Sequence, residues 1–337
     1  MDLSSYQAMM LPAIDVEIRS VMDSAILDQF MDLREILYYH LGYEEHKPIE
    51  SAQGKRIRPL LVLLTAEAAG GKWENALPAA AAVELLHNFS LIHDDIEDHS
   101  RTRRGRPTVW AKWGEPLAIN AGDAMYALAF SALDRLILTA GKSAALEAYR
   151  IMTDTCIRLT GGQHLDISFE NVQSLPLEAY WSMVSGKTSS LISACVRLGG
   201  IIAGPDEKTI EELHTFGHSL GLSFQIQDDC LGIWGSAAET GKSNANDLVT
   251  GKKTLPILYG IQQNKGFAAE WNKGQVSEAN YQHLADLLVA DGAKAFSESQ
   301  AARLTNEAMK ALKRAGFDNE AGEALQKLAE SLLNRRT

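Results

Sequence analysis

Cysteine is scarce in this sequence. Its 337 residues hold three, Cys156, Cys195 and Cys230, far apart and odd in number. That excludes a disulfide-stapled secreted module. None has metal-ligand spacing, and a reduced, cytoplasmic compartment fits this usage. Long apolar runs are also lacking. The run from Leu60 to Ala66 ends at Glu67, and the one after Arg197 stops at Pro205, too short for a transmembrane segment. Met1 to Met10 holds no basic segment followed by an apolar core, so no secretory signal is visible. Basic charge is in deficit, with 32 Lys and Arg against 43 Asp and Glu. The net charge of −11 repels a phosphate backbone, and no long basic stripe offsets it, which argues against nucleic acid as a partner.

What the chain does have is apolar mass, 46% of its residues, enough for a large core and too much for a disordered or collagen-like chain. The pattern is helical throughout. Pro59 opens an apolar segment that closes at Gly70-Gly71. Residues 79–98, 116–138, 144–167, 177–202 and 209–234 read as long helices, and 280–335 as three shorter amphipathic ones. Period-two alternation is scarce, so no sheet is expected. Two polar loops, 99–108 and 236–254, interrupt the series. The economical expectation is one all-α domain over residues 1–337.

The sharpest feature is Asp94-Asp95-Ile96-Glu97-Asp98 near a helix end. Asp94 and Asp98 share a face, roughly 5–6 Å apart at Cβ, with His87 and Leu91 on the same stripe. Like charges at that spacing, at the negative end of the macrodipole, destabilise a helix unless a cation answers them. Hard oxygen ligands suit Mg²⁺. A solvated acidic patch is the plainer explanation of one such run. A second run shifts that balance: Gln225, Asp228 and Asp229 share a face of an otherwise apolar helix, where unpaired charge is costly. Two such helices facing each other would line a cavity with carboxylates. Basic segments accompany them: Lys55, Arg56 and Arg58 before a helix, Arg101, Arg103, Arg104 and Arg106 after Asp98, and Lys242, Lys252 and Lys253 after the second pair. Cations beside metal-binding carboxylates suit polyphosphate ligands, and these clusters argue for two anionic sites.

These segments, in this order, resemble the trans-isoprenyl diphosphate synthases (polyprenyl synthetases) from about Gly54 to Pro256. Gly54-Lys55-Arg56-Ile57-Arg58-Pro59 is similar to the family's Gly-Lys-x-x-Arg-Pro, Asp94 to Asp98 to its first Asp-rich box, and Arg103-Arg104-Gly105-Arg106-Pro107 to its arginine loop. Gly162-Gln163-His164-Leu165-Asp166, Gly186-Lys187-Thr188, Gly241-Lys242, Asp247-Leu248 and Lys252-Lys253-Thr254-Leu255-Pro256 resemble its later segments. The resemblance implies a single-domain bundle of long antiparallel helices around a central apolar cavity, the isoprenoid synthase fold. Its motif-bearing core runs over about 54–262, with C-terminal helices over about 280–335. It also implies a homodimer that condenses isopentenyl diphosphate with an allylic diphosphate. Lys55, Arg58, His87 and Arg104 would hold isopentenyl diphosphate. Asp94, Asp98 and Asp228 would bind Mg²⁺, three ions per active site. Arg103, Lys187, Lys242 and Lys252 would contact the allylic diphosphate. Thr188 and Gln225 would aim oxygen dipoles at the allylic cation.

The chain departs from the family at the second box, which ends in Gly232 where a third aspartate is usual, with Ser236 where some relatives compensate. One metal site is therefore expected to have fewer carboxylates. A same-fold cyclase or head-to-head synthase would not need Lys55, Arg58 and Arg104. A metal phosphohydrolase built on His93-Asp94 leaves the second aspartates unexplained. A non-catalytic subunit would lack the intact first box. Product length rests on Phe89 and Ser90, which stand where the family forms the floor of its product tunnel. A large ring followed by a small residue implies geranylgeranyl diphosphate, the alternatives being farnesyl or longer polyprenyl diphosphates. Cys230 reads as packing, the pair His214 and His218 as helix surface or interface, and Arg335-Arg336 as a mobile tail.

Overall fold

The computed structural model describes residues 1–26, 28–44, 47–49, 52–170, 172, 175–235, 246–274, 276–277 and 279–333. It is 81% helical, which makes the class all-α. The helices are α1 Leu3–Ala25, α2 Met31–His40, α3 Ile57–Ala68, α4 Leu77–Glu97, α5 Val109–Trp113, α6 Glu115–Asp134, α7 Leu136–Thr139 and α8 Gly141–Glu170. They continue with α9 Leu177–Val184, α10 Ser190–Ala203, α11 Glu207–Trp234, α12 Asn246–Val249, α13 Leu255–Gln262, α14 Gly266–Trp271, α15 Tyr281–Ala290, α16 Ala293–Ala315 and α17 Glu320–Leu333. Two compact units divide the chain. One comprises Met1–Met152, Cys195–Ile210 and Phe317–Leu325; the other comprises Thr153–Ala194, Glu211–Gly316 and Gln326–Thr337.

In the first unit, α4 packs against α6, α3 and α1. Ala79 to Ala82 are fully buried, and such small side chains let neighbouring helices approach closely. Helix α3 is buried on every side from Leu60 to Leu64, as its unbroken apolar run requires. In the second unit, Tyr180, Met183, Leu222, Ile226, Cys230, Leu255 and Leu304 form one core cluster. Ile233, Leu248, Ile257, Phe267, Leu284 and Leu288 form another.

Three expectations need correction. Residues 177–202 are helical without a break but not regular α-helix throughout: α9 and α10 are joined by a π-helical turn, Ser185–Ser189. Residues 116–138 break at Arg135, between α6 and α7. The chain also has two short antiparallel ladders, β1 Tyr43–Glu44 with β2 Lys47–Pro48, and β3 Thr102–Arg103 with β4 Arg106–Pro107. The second ladder closes over Arg104 (φ 51°) and Gly105 (φ 74°), two successive left-handed residues, the pattern of a type I′ hairpin turn. Two-residue strands leave no alternation to read in a sequence.

Candidate active site

Helix α4 ends at the first aspartate box. Asp98 caps it, its N–H donating to the Asp94 carbonyl at 2.8 Å. Asp94 is half-buried, Asp98 exposed, and Asp95 buried. Asp95 is gripped by the guanidinium of Arg103: Nε lies 3.0 and 2.9 Å from its two carboxylate oxygens, and Nη2 2.9 Å from one of them. Arg103 sits in β3, so this fork docks the arginine hairpin on the box helix. The hairpin's other flank is held from α2. The Arg106 guanidinium lies 4.0 Å over the Tyr39 ring, and Tyr39 Oη donates to the Pro107 carbonyl at 2.9 Å.

Lys55, Arg58, His87 and Arg104 all belong to the same unit. Arg58 Nη1 donates to His87 Nε2 at 3.2 Å. That bond needs a neutral imidazole. Burial, then Arg58 and Arg104, hold His87 well below its ordinary value. Arg104 Nη1 donates to the Ala52 carbonyl at 3.1 Å. Its guanidinium passes over Gly54, where a Cβ would come within 2.6 Å of Nη2, so a larger residue there would push the guanidinium from this position. Lys55 is exposed. Glu84, 5% exposed, is the buried counter-charge, attracting Arg56 and Arg104. Asn88 Nδ2 bonds its carboxylate at 3.1 Å. Arg56, in the left-handed region at φ 45°, bonds the Tyr43 hydroxyl at 3.3 Å, which in turn donates to Asp15 at 2.8 Å. Asp15, Tyr39, His40, Tyr43, Glu84 and Asn88 support this cluster, and sequence reasoning missed all of them. Glu84, one turn before Asn88 in an alanine-rich stretch, was the one visible signal.

The second box lies in α11. Asp228 is half-buried and Asp229 buried. Asp229 accepts from Tyr180 Oη at 2.7 Å, Leu255 N–H at 3.1 Å and Gln225 Nε2 at 3.0 Å. Burial pushes its carboxyl up to about 7 against the pull of those donors. With its nitrogen on Asp229, Gln225 turns Oε1 to Thr188, whose hydroxyl donates at 2.7 Å. Gly232, one turn beyond Asp228, faces the Asp247 carboxylate, which a side chain there would have to displace. A Cβ there would stand 2.1 Å from an Asp247 carboxylate oxygen, so Asp247 places an acid where the box lacks its third aspartate.

Lys187 and Thr188 lie in the π-helical turn, a feature frequent at functional sites. Gly162 and Gly186 let that turn touch the backbone of α8; a Cβ on Gly162 would meet Lys187 N at 2.1 Å. Lys187 pairs with Asp166. Lys252 is exposed beside Lys253. Phe89 stands edge-on to His93 (4.8 Å between centroids) and to Tyr126 (5.2 Å), and Ser90 Oγ bonds the His87 carbonyl at 2.8 Å. The Nδ1 atoms of His214 and His218 lie 2.8 Å from the Ser193 and Ser189 hydroxyls, an inter-helix ladder. Burial pushes the Cys230 thiol up to about 12. Gly241, Lys242, Ser236 and Arg335-Arg336 lie outside the described residues.

The boxes offer carboxylate oxygens and neither imidazole nor thiolate, a donor set that fits Mg²⁺. Among the described residues no three Asp, Glu, His or Cys side chains converge on one point. An ion held here would therefore draw further oxygens from water or a ligand. Among the same residues no helix is long and apolar enough to cross a membrane.

Known proteins place the chain in a family. The polyprenyl synthetase family model matches residues 43–288. A (2E,6E)-farnesyl diphosphate synthase of Mycobacterium bovis is 36% identical over 314 residues, 90% of this chain and 86% of the relative. A geranylgeranyl diphosphate synthase of Mycobacterium tuberculosis is 40% identical over 252 residues, 74% of this chain and 71% of the relative. Among solved structures, geranylgeranyl pyrophosphate synthase from Corynebacterium glutamicum, complexed with isoprenyl diphosphate and magnesium, superposes with a TM-score of 0.85 at 27% identity, covering 100% of both chains. The arginine cluster, the two aspartate boxes and the all-α isoprenoid synthase fold thus have one common explanation: the chain belongs to the polyprenyl synthetase family and is a short-chain trans-prenyltransferase.

Proposed function

We propose that this enzyme condenses isopentenyl diphosphate with an allylic diphosphate and stops at the twenty-carbon geranylgeranyl diphosphate. Lys55, Arg58, His87 and Arg104 hold the isopentenyl diphosphate, with neutral His87 fixing the Arg58 guanidinium. Asp94, Asp98 and Asp228 hold three Mg²⁺ ions, which when bound supply positive charge to the departing diphosphate. Arg103, Lys187, Lys242 and Lys252 bind that same group, and its C–O bond ionises. Thr188 and Gln225 stabilise the allylic cation with their oxygen dipoles. The isopentenyl double bond attacks the cation, and a proton leaves to the released diphosphate. Apolar walls keep water from quenching the cation. The enzyme acts as one catalytic domain in a cytoplasmic homodimer.

The observation that carries the product assignment is the aromatic wall at Phe89. Its ring, five residues before Asp94, is braced by Tyr126, which in turn packs on Phe130 at 5.2 Å. A braced ring stops a growing chain by volume exclusion. Phe89→Ala should lengthen the products with little loss of the first condensation, read by chromatography after incubation with isopentenyl diphosphate, Mg²⁺ and each short primer. Unchanged products from the variant, or a wild-type enzyme that stops at fifteen carbons, would remove the assignment.

A further inference from the structure

Each box contains a second aspartate that the roles above leave unused. Asp95 and Asp229 are 2% and 5% exposed, whereas Asp94 and Asp228 beside them are half-buried. A buried carboxylate is costly unless protein donors satisfy it. Both are satisfied, and in a parallel manner. Asp95 takes Nε and Nη2 of Arg103, the residue that opens the arginine hairpin. Asp229 takes the Leu255 N–H, directly after Lys252-Lys253-Thr254, along with Tyr180 Oη and Gln225 Nε2. In each box the second acid binds the cationic segment that follows it in the chain.

We propose that Asp95 and Asp229 are positioning residues and not metal ligands: Asp95 aims the Arg103 hairpin, and Asp229 aims Gln225 and the Lys252 segment. This rests on the roles proposed for Arg103, Gln225 and Lys252. A carboxylate has about four lone-pair sites; three donors occupy Asp229, and the Arg103 fork, its Nε–H shared between the two oxygens, covers both oxygens of Asp95, leaving little for a cation. With Nε and Nη2 on Asp95, Arg103 keeps Nη1 to meet an anion. Without the fork, that long side chain would spread over several rotamers, and the entropy of fixing it would fall on substrate binding.

The test uses full-length protein with inorganic pyrophosphate binding, Mn²⁺ binding by electron paramagnetic resonance, and KM for the allylic substrate. The variants are Asp95→Asn, Arg103→Ala, their double variant, Arg103→Lys, and Asp94→Asn as a ligand control. Asp95→Asn should raise KM about tenfold and shift Mn²⁺ affinity less than about twofold. The double variant should be no weaker than Arg103→Ala alone. Arg103→Lys keeps the charge but loses the fork, and should match Asp95→Asn even if the asparagine variant folds poorly. In the second box, Tyr180→Phe removes one donor and leaves the carboxylate untouched; it should raise KM with Mn²⁺ affinity unchanged. Loss of Mn²⁺ affinity in Asp95→Asn equal to that in Asp94→Asn, or a tenfold loss in Tyr180→Phe, would overturn the proposal. So would additive effects of Asp95→Asn and Arg103→Ala. Unaltered pyrophosphate affinity in Arg103→Ala would instead remove the role of Arg103 itself, and this inference with it.

Discussion

The two aspartate boxes reach the same arrangement by opposite routes. In the first, the partners of the aspartates themselves are local, although α2 braces the far flank of the hairpin through Tyr39. Asp98 comes from the same helix four residues after Asp94, and the partner of Asp95 lies only eight residues away, on a tight hairpin. In the second, only Gln225 is local, one turn before Asp229 on the same helix, and the other partners are imported. Asp229 is satisfied by Tyr180, 49 residues before it, and by the Leu255 N–H, 26 residues after it. The extra acid, Asp247, reaches the open position at Gly232 from beyond the helix. The local pairing of Asp95 with Arg103 is set mainly by one helix end and one turn, so it should tolerate many changes elsewhere. An imported site depends on the packing of α9, α11 and α13, so distant changes should reach it.

The largest expected effect would come from breaking either box. Asp94→Ala, Asp98→Ala and Asp228→Ala should each lower turnover by about a thousandfold or more, since each removes metal-held charge worth several kcal/mol. Circular dichroism should show the fold intact, and excess chelator should abolish wild-type turnover. Normal turnover in any of these conditions would end the metal role.

A smaller effect should separate the boxes. Arg58→Ala should raise KM mainly for isopentenyl diphosphate, and Lys252→Ala mainly for the allylic substrate. A charge-assisted contact is worth about 1.5–3 kcal/mol, or roughly ten- to a hundredfold. Equal weakening of both substrates by either variant would contradict the assignment of two distinct diphosphate sites.

The contrast between local and imported sharpens at Gly232. Restoring the usual aspartate should not strengthen the metal site, because Asp247 already fills the space. Gly232→Asp should cost about 1–3 kcal/mol in stability through overpacking, visible as a lower melting temperature. Adding Asp247→Ser should recover most of that loss. A Gly232→Asp enzyme that melts as wild type and needs less Mg²⁺ would show that the loop acid yields freely.

The smallest effect concerns the support behind the first box. Burial, then Arg103 and Arg104, hold His40 neutral, its value lowered to about 3. In the unfolded chain it titrates at its ordinary value near 6.5. The unfolded state therefore binds more protons between those values, and stability should fall as pH drops through that window. His40→Gln should flatten part of the fall in denaturant midpoint. An unchanged slope would mean that other groups carry the acid sensitivity.

Much of this protein was legible in its residues because helices and their faces are short-range properties. The period of the apolar residues marked the long helices, the i, i+4 spacing paired Asp94 with Asp98, and the ordered motifs identified the basic segments that accompany them. The sequence could not separate Asp95 from Asp94, or Asp229 from Asp228, because neighbours on a helix differ only in which way they face once packed. Nor could it assign any element before Pro59, where α1, α2 and β1 supply Asp15, Tyr39, His40 and Tyr43 to a cluster whose motifs lie later in the chain. Gly232 read as a missing ligand, and only the packed chain showed an acid from residue 247 standing in its place. Local rules govern which residues carry charge and along which helix face. Which of those charges is turned outward and which is buried against a partner depends on contacts tens of residues apart, and only the tertiary structure decides that.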